Sequence, residues 1–270
     1  MSKSDIERLN NIFSLRRSGH HAVISWLQDC YRATGVVSVH INEDETIGHV
    51  PYPDDPLWQV FSAEAIIERA HKEEATLDTL IVNYEDLSYS DRDQIYAYSD
   101  PVWQKNAINT HDTIIVRDWY NLVASRIKRA AIDRANGDYP LFDNISWDDL
   151  ASRWIDHAQM QPKADELGVT WINFNRWRKE KDYRESIAKS FGLNSSSNIN
   201  SVPSFGGGSS FDGVTLDGKA QHMQLDNRWE QLDDSLYMEY LGVLAINQAS
   251  VVSALNQNLF GFSHIEAVKR

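Results

Sequence analysis

Six consecutive residues of this chain, Arg16-Arg17-Ser18-Gly19-His20-His21, concentrate groups that bind anions. Two guanidiniums supply fixed positive charge, Ser18 supplies a hydroxyl, and Gly19 lets backbone come close to a ligand. The apolar run Asn11 to Leu15 before them reads as a buried strand. After them, apolar residues recur at Ala22, Val23, Trp26, Leu27 and Cys30 with helical spacing. Strand, glycine turn and helix together make a phosphate-binding device, because the first N–H groups of the helix point outward and its dipole favours negative charge there. The segment is not a GxxxxGK[ST] loop, so a magnesium-dependent ATP or GTP hydrolase is disfavoured. Adjacent residues do not face one another on a helix, so His20-His21 is not read as a metal motif. No metal is expected at the site.

A second constellation lies further along. Thr113 to Val116 (TIIV) reads as a buried strand, ended by Arg117-Asp118, with a helix from about Trp119 to Asn136. An arginine at a strand end can grip a phosphate at two points, and Ser125 on the next helix can reach the same anion.

These elements must sit in a common frame. Val36 to Ile41, Leu77 to Tyr84 and Val169 to Phe174 read as further strands. Ala63 to Lys72, Asp91 to Tyr98, Trp147 to Gln159 and Tyr183 to Phe191 read as helices, the last stopped by Gly192. Short apolar strands alternating with amphipathic helices predict an α/β fold with a mainly parallel sheet covered on both faces. Asn194 to Gly213 is mostly Ser, Gly and Asn and is expected to be a flexible loop or flap within one domain spanning residues 1–270. Asp234 to Asn258 reads as one long helix, giving a helical C-terminal portion.

Composition sets limits. The 270 residues carry a net charge of −13, which disfavours nucleic acid and other polyanionic partners. A single cysteine, Cys30, excludes an intramolecular disulfide. The polar N-terminus and the lack of a membrane-length apolar run predict a cytoplasmic protein without a membrane span. Oligomeric state has no signature here.

Leu15-Arg16-Arg17-Ser18-Gly19-His20-His21 resembles the 5'-phosphosulfate loop of sulfotransferases, commonly written YPKSGTTW. Arg17-Ser18-Gly19 keeps its core, with arginine for lysine as in the carbohydrate and tyrosylprotein branches. His20-His21 stands where the family has Thr-Thr, and Ala22 where it has an aromatic. The segment from Thr113 to Arg126 resembles the family's 3'-phosphate motif, a strand, Arg-Asp-Pro and a helical serine eight residues after the arginine. Arg117 and Ser125 have that separation, and Trp119 stands in place of proline. The resemblance runs from about Ile12 to Leu193, with Trp171 to Phe174, Tyr183-Arg184 and Phe191 to Leu193 resembling the later strand and helix of bacterial members.

The resemblance implies a P-loop-like sulfotransferase fold and a donor, 3'-phosphoadenosine-5'-phosphosulfate, leaving adenosine 3',5'-bisphosphate as product. It implies donor contacts from Arg16, Arg17, Ser18, Gly19, His20, His21, Ala22, Arg117 and Ser125. Arg17 would stabilise the charge that builds on the leaving oxygen. The acceptor would be a hydroxyl or amine of a small molecule, lipid or carbohydrate, and its proton needs a base. Glu85, with Asp86 beside it, is preferred; His40 and Glu43 are the alternatives, and His111 a weaker one. Lys219 or Arg228 could reach a phosphate from beyond the Ser/Gly segment. The rival readings are a nucleotide-dependent phosphotransferase and a non-catalytic protein of degenerate sulfotransferase fold, whose sign would be a donor site blocked by His20 and His21.

Overall fold

A computed structural model describes residues 6–33, 37–42, 47–49, 77–98, 107–138, 145–202 and 208–264. The strands are β1 (Ile6–Ser14), β2 (Val37–Asn42), β3 (Ile47–His49), β4 (Leu77–Glu85), β5 (Ala107–Val116) and β6 (Thr170–Asn173). They form one sheet in the order β3-β2-β4-β1-β5-β6. β3 is an antiparallel edge on β2, and every other pairing is parallel. The α/β fold with a mainly parallel sheet is as the alternation of apolar runs predicts.

Alternation of side chains along each strand divides the core into two layers. Leu9 and Phe13 of β1, Leu80 and Val82 of β4, and Ile114 and Val116 of β5 face one side. That side is covered by α3 (Trp119–Asn136), α4 (Trp147–Gln159) and the C-terminal helices α8 (Asp234–Val243) and α9 (Ala249–Phe260), with α2 (Arg92–Tyr98) at its edge. Ile12, Ile81, Ile115 and Ile172 face the other side. There they meet α1 (His20–Ala33), α6 (Phe174–Lys179) and α7 (Lys181–Ser190) through Val23, Trp26, Leu27, Trp177 and Ile187. The one-turn helix α5 (Ala164–Leu167) leads into β6. Helices on both faces leave the strand ends as the place for a ligand.

Two expectations change in detail. β1 begins at Ile6 rather than Asn11, because its polar residues are satisfied inside the core. Asn10 donates to the Tyr31 hydroxyl at 2.6 Å, and Asn11 to Asp112 Oδ1 at 3.0 Å. The single helix expected over Asp234 to Asn258 is two, α8 and α9. Between them Asn247 is pinned to Asp148 of α4, its backbone N–H at 3.1 Å and its side-chain amide at 3.2 Å, and this turns the chain. The described part of the Ser/Gly/Asn segment is held by specific bonds. Trp26 Nε1 donates to the Ser196 carbonyl at 3.0 Å, and the Ser196 N–H meets Cys30 Sγ at 3.1 Å. The helix expected over Ala63 to Lys72, and Glu43, lie outside the described residues.

Candidate functional site

The parallel register brings four strand ends into one row. Ser14 pairs with Glu85 and with Ile115, and Val116 pairs with Asn173. The segments that follow, 15–19 after β1, Asp86 after β4, Arg117 after β5 and Phe174 after β6, therefore meet at one edge.

The loop after β1 turns tightly: the Ser18 N–H donates to the Leu15 carbonyl at 2.9 Å. Arg17 has φ +71° and Gly19 φ +86°. Left-handed backbone at Arg17 costs about 1 kcal/mol or more and persists only because its surroundings fix it. Gly19 is favoured on two counts, its left-handed backbone and the Phe174 ring that a Cβ there would run into. Helix α1 then starts at His20 with no acidic residue in its first turn, which keeps its N-terminus open to an anion.

Asp86 braces this loop from behind. It too has a positive φ, +56°, and its Oδ1 accepts the Arg16 N–H at 2.9 Å. The same oxygen takes a short contact from Arg126 Nη2, and Arg126 Nε donates to the Arg16 carbonyl at 3.1 Å. Arg126 is 1% exposed and Asp86 5%, so this ion pair is out of solvent. The sequence reading missed Arg126 as a positioning residue, although it lies one residue beyond Ser125 on the same helix. Asp86 is thereby committed to the loop rather than free to act as a base.

Glu85 lies against the loop as well. Arg16 Nε donates to its Oε2 at 2.9 Å. Its Oε1 touches His20 Nε2 and stands 3.5 Å from His21 Nε2. The two rings are neighbours, with centroids 4.0 Å apart. Adjacent histidines were expected to diverge. They converge because both open the first turn of α1 and Glu85 reaches them from β4. Burial favours the neutral form of Glu85, but His20, His21 and Arg16 overcome it and hold the carboxyl well below the usual carboxylate range.

Arg117 and Ser125 also come together. Arg117 Nη1 donates to Ser125 Oγ at 3.3 Å and to the Arg17 carbonyl at 3.1 Å, and Nη2 donates to the Leu225 carbonyl at 3.0 Å. Asp118 caps α3 through the Asn121 N–H at 2.9 Å, which fixes the direction in which the helix leaves. Burial pushes the Arg117 guanidinium down to about 9; Asp118 opposes this, while Arg228, Arg178 and Arg17 add to it. Arg17 falls to about 10, again through burial first and then through Arg129, with Glu85 opposing. Both stay cationic at neutral pH, and both gain from an anion placed between them.

Segment 208–228 closes over these cations. Arg17 Nη2 donates to the Gly208 carbonyl at 2.9 Å. Arg228 is 1% exposed, packs over the Phe211 ring at 4.5 Å and pairs with Asp212 at 3.0 Å. Its Nε and Nη1 have no hydrogen-bond partner among the described residues. Unsatisfied buried donors of this kind are what an incoming phosphate oxygen would meet.

The remaining candidates lie elsewhere. His40 is in β2, opposite Ile81 and His49 in register, so two strands separate it from β5. His111 sits mid-strand in β5, with Nε2 2.8 Å from Thr170 Oγ1 and its ring against Phe191, away from the strand ends. Lys219 precedes the short 3₁₀ turn Ala220–His222.

No family model matches the chain, and no curated protein does. Among solved structures, mouse sulfotransferase SULT7A1 complexed with PAP is similar over 95% of this chain and 90% of that one, at 12% identity and a TM-score of 0.46. The sulfotransferase domain from the Synechococcus PCC 7002 olefin synthase is similar over 97% of this chain and 98% of that one, at 10% identity and a TM-score of 0.39. Among the described residues no helix is long and apolar enough to cross a membrane.

Proposed function

We propose that the chain is a sulfotransferase that takes a sulfuryl group from 3'-phosphoadenosine-5'-phosphosulfate and passes it to a hydroxyl or amine of a small-molecule, lipid or carbohydrate acceptor. The observation that carries this is the Arg117 guanidinium, which touches both Ser125 and the Arg17 carbonyl. One arginine thus joins an anion-binding turn to a second phosphate grip, as a donor with phosphates at both ends requires.

In this reading the 5' end of the donor sits on the N–H groups opening α1, with Ser18, His20 and His21 around it. Arg17 faces the oxygen on which charge builds as the bisphosphate leaves, and a fixed cation there lowers the barrier without moving a proton. Arg117, Ser125 and the unsatisfied donors of Arg228 take the 3'-phosphate. Glu85, held against the loop by Arg16, is assigned as acceptor base, in company with the imidazoles it touches. Donor entry must displace the Gly208 and Leu225 carbonyls from Arg17 and Arg117, so segment 208–228 has to give way.

The test is thermal unfolding of the full chain with adenosine 3',5'-bisphosphate. A rise in Tm that saturates with ligand, and is lost in Arg117→Ala, supports the reading. No rise at millimolar ligand overturns it. The bisphosphate binding without any transfer from the sulfated donor would favour a non-catalytic binding protein of the same fold.

A further inference from the structure

We propose that His20, His21 and Glu85 form a binding site for one divalent transition-metal ion, zinc being the reference case. The inference rests on their geometry alone and does not depend on the identity of the donor.

One ligand atom from each residue can be chosen so that all three lie within 4.8 Å of one another. Two ligands at about 2.1 Å on a tetrahedral ion stand about 3.4 Å apart. His21 Nε2 and Glu85 Oε1, at 3.5 Å, already have nearly that spacing. His20 sits closer to Oε1 than that spacing and has to withdraw on loading.

The surroundings are those of a ligand set. His20 is 2% exposed, and its Nε2 makes no hydrogen bond of proper geometry although it lies against Oε1. Its Nδ1 is 3.2 Å from Ser18 Oγ. With Nδ1–H donating to that hydroxyl, Nε2 is the atom that faces the carboxylate, and giving up its proton on loading frees its lone pair for a metal. Arg16 holds Oε2 at 2.9 Å, and Asn83 Nδ2 approaches Oε1 at 3.3 Å. The carboxylate is therefore fixed in orientation, with Oε1 toward both rings.

Two imidazoles and one carboxylate suit zinc, iron(II) or cobalt(II) rather than magnesium or calcium, which prefer all-oxygen sets. Three protein ligands leave at least one coordination position for water or an anionic oxygen. With Arg16 beside it, a loaded site carries surplus positive charge at the start of α1, where an anion already binds best. An ion on Oε1 also competes with any proton accepted there.

The experiment is zinc titration of the chelator-stripped full chain against a chromophoric indicator, followed by the visible spectrum of the cobalt(II) form. The expected result is one tightly held equivalent, with affinity falling at least about tenfold in Glu85→Gln and in His20→Ala and unchanged in His111→Ala. Cobalt should give the intense bands of low coordination with imidazole ligands. If Glu85→Gln and His20→Ala bind zinc as the wild type does, or the wild type holds none, the site does not exist. Circular dichroism of each variant guards against loss of fold, and the cobalt spectrum of the wild type stands whatever the variants do.

Discussion

The Arg117 guanidinium donates to the main-chain carbonyl of Arg17 at 3.1 Å, across 100 positions of sequence. Arg17 has left-handed backbone there, so its carbonyl is presented to Arg117 by a conformation that only a well-fixed loop keeps. The two arginines are thus parts of one structure. The same Nη1 also reaches Ser125 Oγ, so a change at Arg117 touches the turn and the helix together.

Arg117→Ala should therefore weaken adenosine 3',5'-bisphosphate binding by about 10- to 100-fold, the loss of one or two charge-assisted hydrogen bonds. Arg117→Lys keeps the charge but not the fork, and should recover only part of the affinity. Ser125→Ala, which removes a single neutral contact, should cost less than either. Isothermal titration calorimetry measures all three, and wild-type affinity in Arg117→Ala contradicts the 3'-phosphate assignment.

Gly19→Ala should destabilise the protein by about 1–3 kcal/mol, through left-handed backbone and a new Cβ forced against Phe174. Gly19→Ala combined with Phe174→Ala removes the clash but leaves the backbone strain. The double variant should then lose less stability than the sum of the two single changes. Urea unfolding gives the comparison, and simple additivity would show that Phe174 does not set the turn.

The strand ends and the two candidate segments after β1 and β5 were legible because local pattern determines them. An apolar run, a glycine and a helical period fix the turn at residues 16–19, and Arg117 needs only its place at the end of β5. What was not legible depends on register between distant strands. Glu85 meets His20 because Ser14 pairs with Glu85 across β1 and β4. Nothing in a linear reading of two adjacent histidines shows that a carboxylate arrives from a neighbouring strand. The pairing of Asp86 with Arg126 was hidden for the same reason, the two being 40 residues apart and joined only in the folded core. The break between α8 and α9 was missed because apolar residues continue through it, and the interaction that turns the chain, Asn247 on Asp148, is tertiary.

Asp86→Asn should cost about 3–5 kcal/mol, since it leaves the Arg126 charge buried without its partner. Arg126→Met should cost less when combined with Asp86→Asn than the sum of the single changes, because the pair is then removed together. Both variants should also lose bisphosphate affinity, as the Arg16 N–H and carbonyl are each held by this pair. Denaturant midpoints and calorimetry read the two effects separately. A stable Asp86→Asn variant would mean that the pair does not hold the loop.

Glu85→Gln separates chemistry from binding. The carboxylate lies close enough to oppose the lowering of Arg17, so it is a negative charge beside the proposed anion site. Its removal should leave bisphosphate affinity unchanged or raise it. Transfer from the sulfated donor should fall by about 100-fold if Glu85, directly or through the His21 ring beside it, takes the acceptor proton. His21 is the more open of the two rings, with 19% of its side chain exposed against 3% for His20. His21→Gln should therefore reduce transfer more than binding. Single-turnover transfer and bisphosphate titration on the same preparations give both numbers. If Glu85→Gln loses donor affinity and transfer in equal measure, Glu85 only braces the loop and the base lies elsewhere, with His40 on β2 the next residue to change.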